Sequence, residues 1–320
     1  MAPPISRNQL KKLTQRLRAG TETPQDLHAL ADVLLHYRQV LERAYAEAAR
    51  LCAEVQHAEP MAPRVKTLKT TMEKLHRQPG LHSLAQIRDL AGLRVVVHGS
   101  RTDQDELAAL IGAELSDAGR PPKLIDRRAD PRSGYRAVHL EVGREGVLIE
   151  VQVRTTLQHR WAEVFERTAD RLGRGLRYGE QVPLTAGAGV LLSTLAEISE
   201  IIDTVERGVD PVPGHTVRAE IVRVLARVRQ PPGAATMTNV IHVVLVYRRE
   251  AGELLVQESF ADGDTAMRRQ FELERVPEYA DTEVAVLSAD SEQTLRETHG
   301  RYFFTAAELA QRLTDAVSAA

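Results

Sequence analysis

A chain of 320 residues with 43% hydrophobic residues, 27% charged residues and a formal net charge of -2 has the balance of a soluble globular protein, and it is long for one core, so two compact units are expected. A single cysteine, Cys52, excludes an internal disulfide framework and a multi-cysteine zinc site, and its helical, alanine-rich setting reads as a buried structural thiol. No apolar run approaches the ~20 residues of a membrane span, and the stretch MAPPISRNQLKK lacks an apolar signal core, so a cytoplasmic protein without membrane contact is expected.

The first sixty residues read as helices. Leu10, Leu13 and Leu17 share a stripe, and after Thr23 and Pro24 the positions Leu27, Leu30, Val33, Leu34, Tyr37, Leu41, Ala44 and Tyr45 follow the 3.6-residue period. This reads as scaffold or as an oligomer surface. From Arg64 the pattern is mixed: helices at 68–77, Ser83–Leu90 and 104–117, a strand at 93–97 and a short strand at Lys123–Asp126. The segment RSGYRAVHLEVGREGVLIEVQVRT, residues 132–155, reads as a hairpin closed by the turn Gly143-Arg144-Glu145-Gly146. Alternation puts Val138, Leu140, Val142, Val147, Ile149, Val151 and Val153 on an apolar face. It puts Tyr135, His139, Glu150, Gln152 and Arg154 on the other face, which is a wet sheet surface or the floor of a site. Pairing 142 with 147 sets His139 opposite Glu150 and Tyr135 opposite Arg154. Helices follow at 156–172, where Trp161 and Phe165 read as core, and at 184–207. The Pro- and Gly-containing stretches GVDPVPGH and RQPPGAAT bracket one more helix as a linker over 208–237. The last unit has a hairpin turning at Glu250-Ala251-Gly252-Glu253, a helix at 264–275, a strand at 283–287 and two further helices.

The expected class is therefore α/β, more strictly α+β. Residues 1–59 form a helical N-terminal extension, 60–207 a mixed β-sheet domain flanked by helices, and 238–320 a small acidic α/β domain. Charge is uneven: residues 60–136 carry 14 Lys and Arg against 9 Asp and Glu, whereas residues 238–320 carry 8 against 15. The middle segment can hold polyphosphate, although such a bias also fits a solvated surface. In RVKTLKTTMEK, Arg64, Lys66, Lys69 and Lys74 suit a triphosphate. In DRRADPRSGY, Arg127, Arg128 and Arg132 precede Tyr135 as charge and stacking for a nucleotide. Asp89 in QIRDLAGLRVVV reads as the end of a helix capped by Gly92. It fits a plain surface carboxylate near a helix end; read with Glu150 it can instead supply half of a magnesium site, because a hard cation near phosphates needs only one or two protein carboxylates.

Together RVKTLKTTMEKL, IRDLAGLRVVV, DPRSGYRAVHL, IEVQVRT and HRWAEVFERTADRLG resemble, in order and approximate spacing, the RelA/SpoT-type synthetase domain, over roughly residues 60–180. The resemblance implies transfer of pyrophosphate from ATP to a nucleotide 3′-hydroxyl, as in a GTP/GDP diphosphokinase making (p)ppGpp, with Mg²⁺ as cofactor. By the same resemblance Asp89 and Glu150 are catalytic and metal-binding, and Arg64, Lys66 and Lys74 hold ATP. Tyr135 stacks on the acceptor base, with His139, Gln152, Arg154 and Arg132 in the acceptor floor. The chain departs from the family's pattern at Ser133, where Asn is common, at Arg132, where Lys is common, and in a slightly short loop from Asp126 to Tyr135. These departures bear on acceptor choice. No His-Asp dipeptide occurs, so the resemblance is to a synthesis-only member without the hydrolase domain.

Two other readings stay open from the sequence: a toxin-like relative that modifies the tRNA 3′ end or makes adenosine alarmones, and a catalytically silent regulator. Partners expected are ATP as donor, GDP or GTP as acceptor, tRNA as the alternative acceptor, and a second copy of the chain. The acidic C-terminal domain is expected to dock on the basic one and restrain it, or to serve as an independent or dimerising module.

Overall fold

The computed structural model describes residues 4–78, 80–131, 133–173, 175–176, 186–208, 241–289, 291–305 and 307–309. Two helices open the chain, α1 at Arg7–Ala19 and α2 at Pro24–Val55. Each starts at a capping box, Ser6 with Gln9 and Thr23 with Asp26, which satisfies backbone N–H groups that a helix start leaves unpaired. Arg16 also bonds Asp26 through both oxygens, at 2.6 and 2.9 Å, tying α1 to the start of α2.

A five-stranded mixed sheet follows, in the order β1-β2-β5-β4-β3. Its strands are β1 Ala58–Val65, β2 Ala91–Val97, β3 Lys123–Asp126, β4 Val138–Arg144 and β5 Val147–Thr155. The central contact is the parallel pairing of β2 with β5, from Ala91↔Ile149 to Val97↔Thr155. Helix α3 (Leu68–Arg77) follows β1 and α4 (Arg101–Leu115) follows β2. The apolar face of the sheet, including Val95, Leu140, Val142, Ile149, Val151 and Val153, forms one core with Leu30, Leu34, Leu41 and Ala44 of α2 and Leu107 and Ile111 of α4. The N-terminal helices are thus one wall of the sheet's core. Cys52 is buried in it, and burial pushes its thiol up to about 12.

Beyond the sheet, α5 (Thr156–Leu172) and α6 (Ala186–Glu206) pack on each other. Trp161 and Phe165 are buried there as expected, stacked with centroids 5.0 Å apart, and the Trp161 indole N–H donates to Leu195 O at 2.7 Å. The C-terminal unit is a second antiparallel sheet, ordered β7-β6-β8. Its strands are β6 Ile241–Arg248, β7 Glu253–Phe260 and β8 Glu283–Ala289, with helices α7 Gly263–Leu273, α8 Glu292–Thr298 and α9 Gly300–Phe303. Among the described residues, no helix is long and apolar enough to cross a membrane.

Four expectations need correcting. Residues 83–90 are not a helix: only Leu84–Gln86 form a 3-10 turn. Asp89 lies in the turn leading into β2, and Gly92 is an ordinary strand residue of β2. Second, the helical extension ends before residue 59 and a strand not read from the sequence, β1, runs over Ala58–Val65 despite Pro60 and Pro63. They are accommodated because β1 is an edge strand, with irregular register between Met61 and Arg64. Third, the first hairpin turns on Glu145 and Gly146 alone, both at positive φ (49° and 78°), a backbone whose twist matches the strands. Val142 therefore pairs with Ile149 and His139 with Gln152. A shift of two residues keeps every side chain on its expected face. Gly143 belongs to the strand, where a Cβ would lie 2.8 Å from Arg120 Cδ. Fourth, β6 and β7 pair out to Arg248↔Glu253, so the second turn spans 249–252. The linker expected over 208–237, with its helix, lies outside the described residues except for Gly208.

Gly134, next to Tyr135, is closely covered: its φ is +85°, and a Cβ would stand 2.8 Å from Trp161 Cζ2 and 3.2 Å from Ser199 Cβ. Trp161 is held by its hydrogen bond and its stack and cannot withdraw. Gly134→Ala is expected to lower stability by about 1–3 kcal/mol, the scale of overpacking, read as a reduced urea midpoint at unchanged slope.

Candidate active site

The polar face of β4 and β5 is a connected hydrogen-bond chain. His139 on β4 bonds through Nδ1 to Glu150 Oε1 on β5 at 3.0 Å, and its Nε2 lies 2.9 Å from the Tyr135 hydroxyl. Gln152 donates to Glu150 Oε2 at 3.0 Å, while Arg154 donates to Gln152 Oε1 at 2.9 Å and to the Tyr135 hydroxyl at 3.0 Å. The pleat dictates this grouping, because Glu150, Gln152 and Arg154 alternate with the buried Ile149, Val151 and Val153. His139 therefore reaches Glu150 diagonally across the pair. Arg154 also sits over the Tyr135 ring, 4.9 Å from its centroid.

The electrostatics keep Glu150 ready to accept a proton. Burial pushes its carboxyl up and nearby Asp89 adds to that, but the hydrogen bond and charge of His139 and the Gln152 amide win, so it lies below the usual glutamate range. Burial and charge likewise oppose each other at Asp89. Desolvation raises it, yet Lys66 at 3.2 Å and Lys74 at 2.5 Å hold it below its ordinary value. Lys74 comes from α3, whose start is capped by the Thr67 hydroxyl accepting from Thr70 N–H at 3.0 Å. Lys66 sits between β1 and α3 and donates its backbone N–H to Leu90 O at 2.8 Å, which fixes this arm against the turn carrying Asp89.

Of the residues singled out from sequence, Tyr135, His139, Glu150, Gln152 and Arg154 form one floor, and Lys66, Lys74 and Asp89 form an adjoining group that the Glu150 carboxyl feels. Arg64 on β1 is turned to the C-terminal unit, donating to Glu283 Oε1 at 2.6 Å and to the Tyr302 hydroxyl at 3.2 Å. Arg132 lies outside the described residues. The arginines before β4 are less available than the sequence implied. Arg128 is paired with Asp105 and Asp126, and Arg136, buried, with Glu200 and Asp203.

Arg94 on β2 is a further charged residue beside this floor that the sequence motifs do not single out. It lies close enough to Arg154 that burial first and that charge second lower its guanidinium to about 10. The buried Nε of Arg94 and Nη1 of Arg154 make no hydrogen bond among the described residues. Its signal was present in AGLRVVV: one arginine alternating with buried aliphatics in a strand.

No cluster of three or more metal-ligating side chains occurs among the described residues. Asp89 and Glu150 are close enough for one carboxylate to feel the charge of the other; Asp89 is paired with Lys66 and Lys74, and Glu150 with His139 and Gln152.

Residues 63–169 match the family described as a region found in RelA / SpoT proteins. An uncharacterized protein of Mycobacterium tuberculosis is 34% identical over 206 residues, covering 61% of this chain and 70% of that protein. The chain belongs to the RelA/SpoT family. The GTP pyrophosphokinase YjbM of Bacillus subtilis is 27% identical over 150 residues, covering 41% of this chain and 68% of that protein. Among solved structures, small alarmone synthetase 1 from Bacillus subtilis bound to its product pppGpp is 24% identical at a TM-score of 0.41, over 55% of this chain and 91% of that one. At the level of the RelA/SpoT family, the chemistry is nucleotide pyrophosphate transfer.

In this member the acidic state of Asp89 depends on its lysines. Lys74→Met leaves burial opposed by Lys66 alone, so the Asp89 carboxyl is expected to titrate at a higher pH than in the parent. A carbon-detected NMR pH titration measures the change; an unmoved or lowered midpoint contradicts the assignment of Lys74 as a partner of Asp89.

Proposed function

We infer that the protein is an ATP-dependent nucleotide 3′-pyrophosphokinase that makes (p)ppGpp from GDP or GTP. The observation that carries this reading is the pairing of a proton-accepting floor with a cationic arm. Glu150 is buried yet held ionised by His139, and beside it Asp89 and two lysines offer a place for metal and polyphosphate. The acceptor 3′-hydroxyl must lose its proton as it attacks the β-phosphorus of ATP, with AMP leaving, and Glu150 takes that proton. His139 fixes the carboxylate and is itself fixed by Tyr135, whose hydroxyl Arg154 holds in place. Lys66, Lys74 and Arg64 neutralise and orient the donor phosphates, and positioning supplies much of the remaining rate. Magnesium, held by Asp89 and Glu150, would screen the charge that builds on the transferred phosphates.

Residues 60–207 are the catalytic unit under this reading, 1–59 its supporting helices, and 238–320 an interaction module. The guanine nucleotide is favoured over a tRNA end because Arg128 and Arg136, which a polyanionic RNA would need, are already neutralised by carboxylates. Retention of Asp89 and Glu150 in one polar site argues against a silent regulator. Incubating the purified chain with ATP labelled at the β-phosphate, Mg²⁺ and, separately, GDP, GTP, no added acceptor, or bulk tRNA tests the assignment. Label in the guanine nucleotides is the expected outcome; label in tRNA alone would reassign the acceptor.

Two sets of variants follow from the roles. Glu150→Gln and Asp89→Asn keep shape and remove charge, so each is expected to lower turnover by about 100-fold or more, the smallest contribution usual for a general base, with the circular dichroism spectrum unchanged. Near-parental turnover in either would remove it from the chemistry. Tyr135→Ala is expected to weaken acceptor binding by about 1–3 kcal/mol, the scale of one lost base stack, while ATP affinity stays put. Calorimetry with each nucleotide separates the two; an equal loss for ATP would make Tyr135 structural.

A further inference from the structure

The C-terminal unit does not stand apart from the nucleotide site. Glu283, at the first position of β8, is 3% exposed and receives four donors: Arg64 at 2.6 Å, Arg301 at 2.8 Å, Arg249 at 2.9 Å and the Tyr302 hydroxyl at 2.9 Å. Three of those donors belong to the C-terminal unit. Arg64 comes across the seam from β1. Burial works against the Glu283 charge, but Arg301, Arg64 and Arg249 outweigh it and hold the carboxyl well below the usual glutamate range. A second carboxylate, Glu274, accepts the backbone N–H of Leu68 at 3.2 Å in the first turn of α3, the helix that carries Lys74. The Lys69 ammonium, in the same basic segment, is bound to Ala280 O. Each of these three polar contacts of the arm with the C-terminal unit sets a donor of the arm against a carboxylate or a carbonyl.

The seam is also anchored away from the arm. Met267 and Phe271 of α7 join the core around α2. Arg167 on α5 donates to the Tyr247 hydroxyl, and Glu163 accepts Gly300 N–H at 3.0 Å. These contacts share with the Arg64–Glu283 pair the holding of β8 against β1.

We propose that the C-terminal unit is a built-in gate on the donor half of the site: Glu283 occupies Arg64, and ATP binds fully only when Arg64 exchanges that carboxylate for the nucleotide. This rests on Arg64 serving the donor, as inferred above. An Arg64 guanidinium bonded to a buried carboxylate cannot at the same time pack on or bind a nucleotide with the same groups. The chain therefore divides between a closed state, with Arg64 on Glu283, and an open one, with Arg64 released. A ligand that needs the open state shows an affinity lowered by the fraction of molecules already open. Residues 238–320 carry 15 acidic against 8 basic residues, so the unit is drawn to the basic arm at all times, and its covalent tether keeps it close.

The test uses the full chain and two seam variants that leave the nucleotide residues intact. Glu283→Gln removes the charge that holds Arg64. Arg167→Met cuts the seam at Tyr247, so one variant decides if the other fails to fold, as read from a cooperative melt. Calorimetry with a non-hydrolysable α,β-methylene ATP analogue and Mg²⁺ measures donor binding without acceptor or turnover. Each folded variant is expected to bind about tenfold tighter than the parent, the factor set by a closed state populated about nine times in ten. In the parent, the analogue is expected to speed hydrogen exchange in residues 283–289. Unchanged or weaker binding by a folded variant, or slower exchange in that strand, overturns the gate. Turnover on guanine nucleotides without tighter analogue binding in the variants sinks the gate alone, whereas absence of analogue binding in all three proteins removes the donor reading and the gate with it.

Discussion

The parallel pairing of β2 with β5 is the contact on which the arrangement depends. Both strands are lined on one side by residues sealed in the core, including Leu93, Val95, Ile149, Val151 and Val153, and their register sets Gly92 beside Glu150 and Arg94 beside Gln152. Because side chains alternate, the polar positions of both strands must emerge together on the opposite face. Asp89 stands two residues before β2 and Glu150 faces the second position of that strand, so one ladder brings two carboxylates together that are sixty residues apart in the chain. Parallel strands need a long crossover, and here it is α4, β3 and β4, which returns the chain so that His139 arrives on the same face.

Charge then decides how that face behaves. Arg64, Lys66, Lys74, Arg94 and Arg154 converge on it, and each has a different compensation. Asp89 serves the two lysines, the Tyr135 hydroxyl and Gln152 serve Arg154, and Glu283 serves Arg64. Arg94 is the least compensated, since its contact with Glu166 is 3.7 Å, and its lowered guanidinium is the electrostatic sign of that crowding. A surface of this kind is stable only while anions are near it. The protein supplies them from its own side chains, Asp89 and Glu283.

The C-terminal sheet is thereby more than an appended module. Its apolar residues Met267 and Phe271 enter the core of the first sheet, and its buried carboxylate Glu283 bonds Arg64 of β1. Such a seam combines non-directional apolar burial, which holds the units together, with ionic contacts, Arg64 with Glu283 and Arg301 with Asp170.

The sequence alone determined the alternation of the β4–β5 hairpin, the helical N-terminal segment, the mixed class and the residues of the polar floor, because a period of two or of 3.6 is written locally in residue order. A register error of two residues did not disturb the floor, since any even shift preserves the faces. The sequence did not determine the turn at Asp89 or the edge strand β1. Leu84 and Ile87 are apolar at helical spacing, and Pro60 and Pro63 deny a strand locally, yet each segment takes its form from the neighbour that covers it. The burden on Arg64, the neutralisation of Arg128 and Arg136, and the crowding at Arg94 were legible only in three dimensions. An ion pair between residues 64 and 283 depends on how two separate cores dock, and no local pattern encodes the distance between charges more than two hundred residues apart.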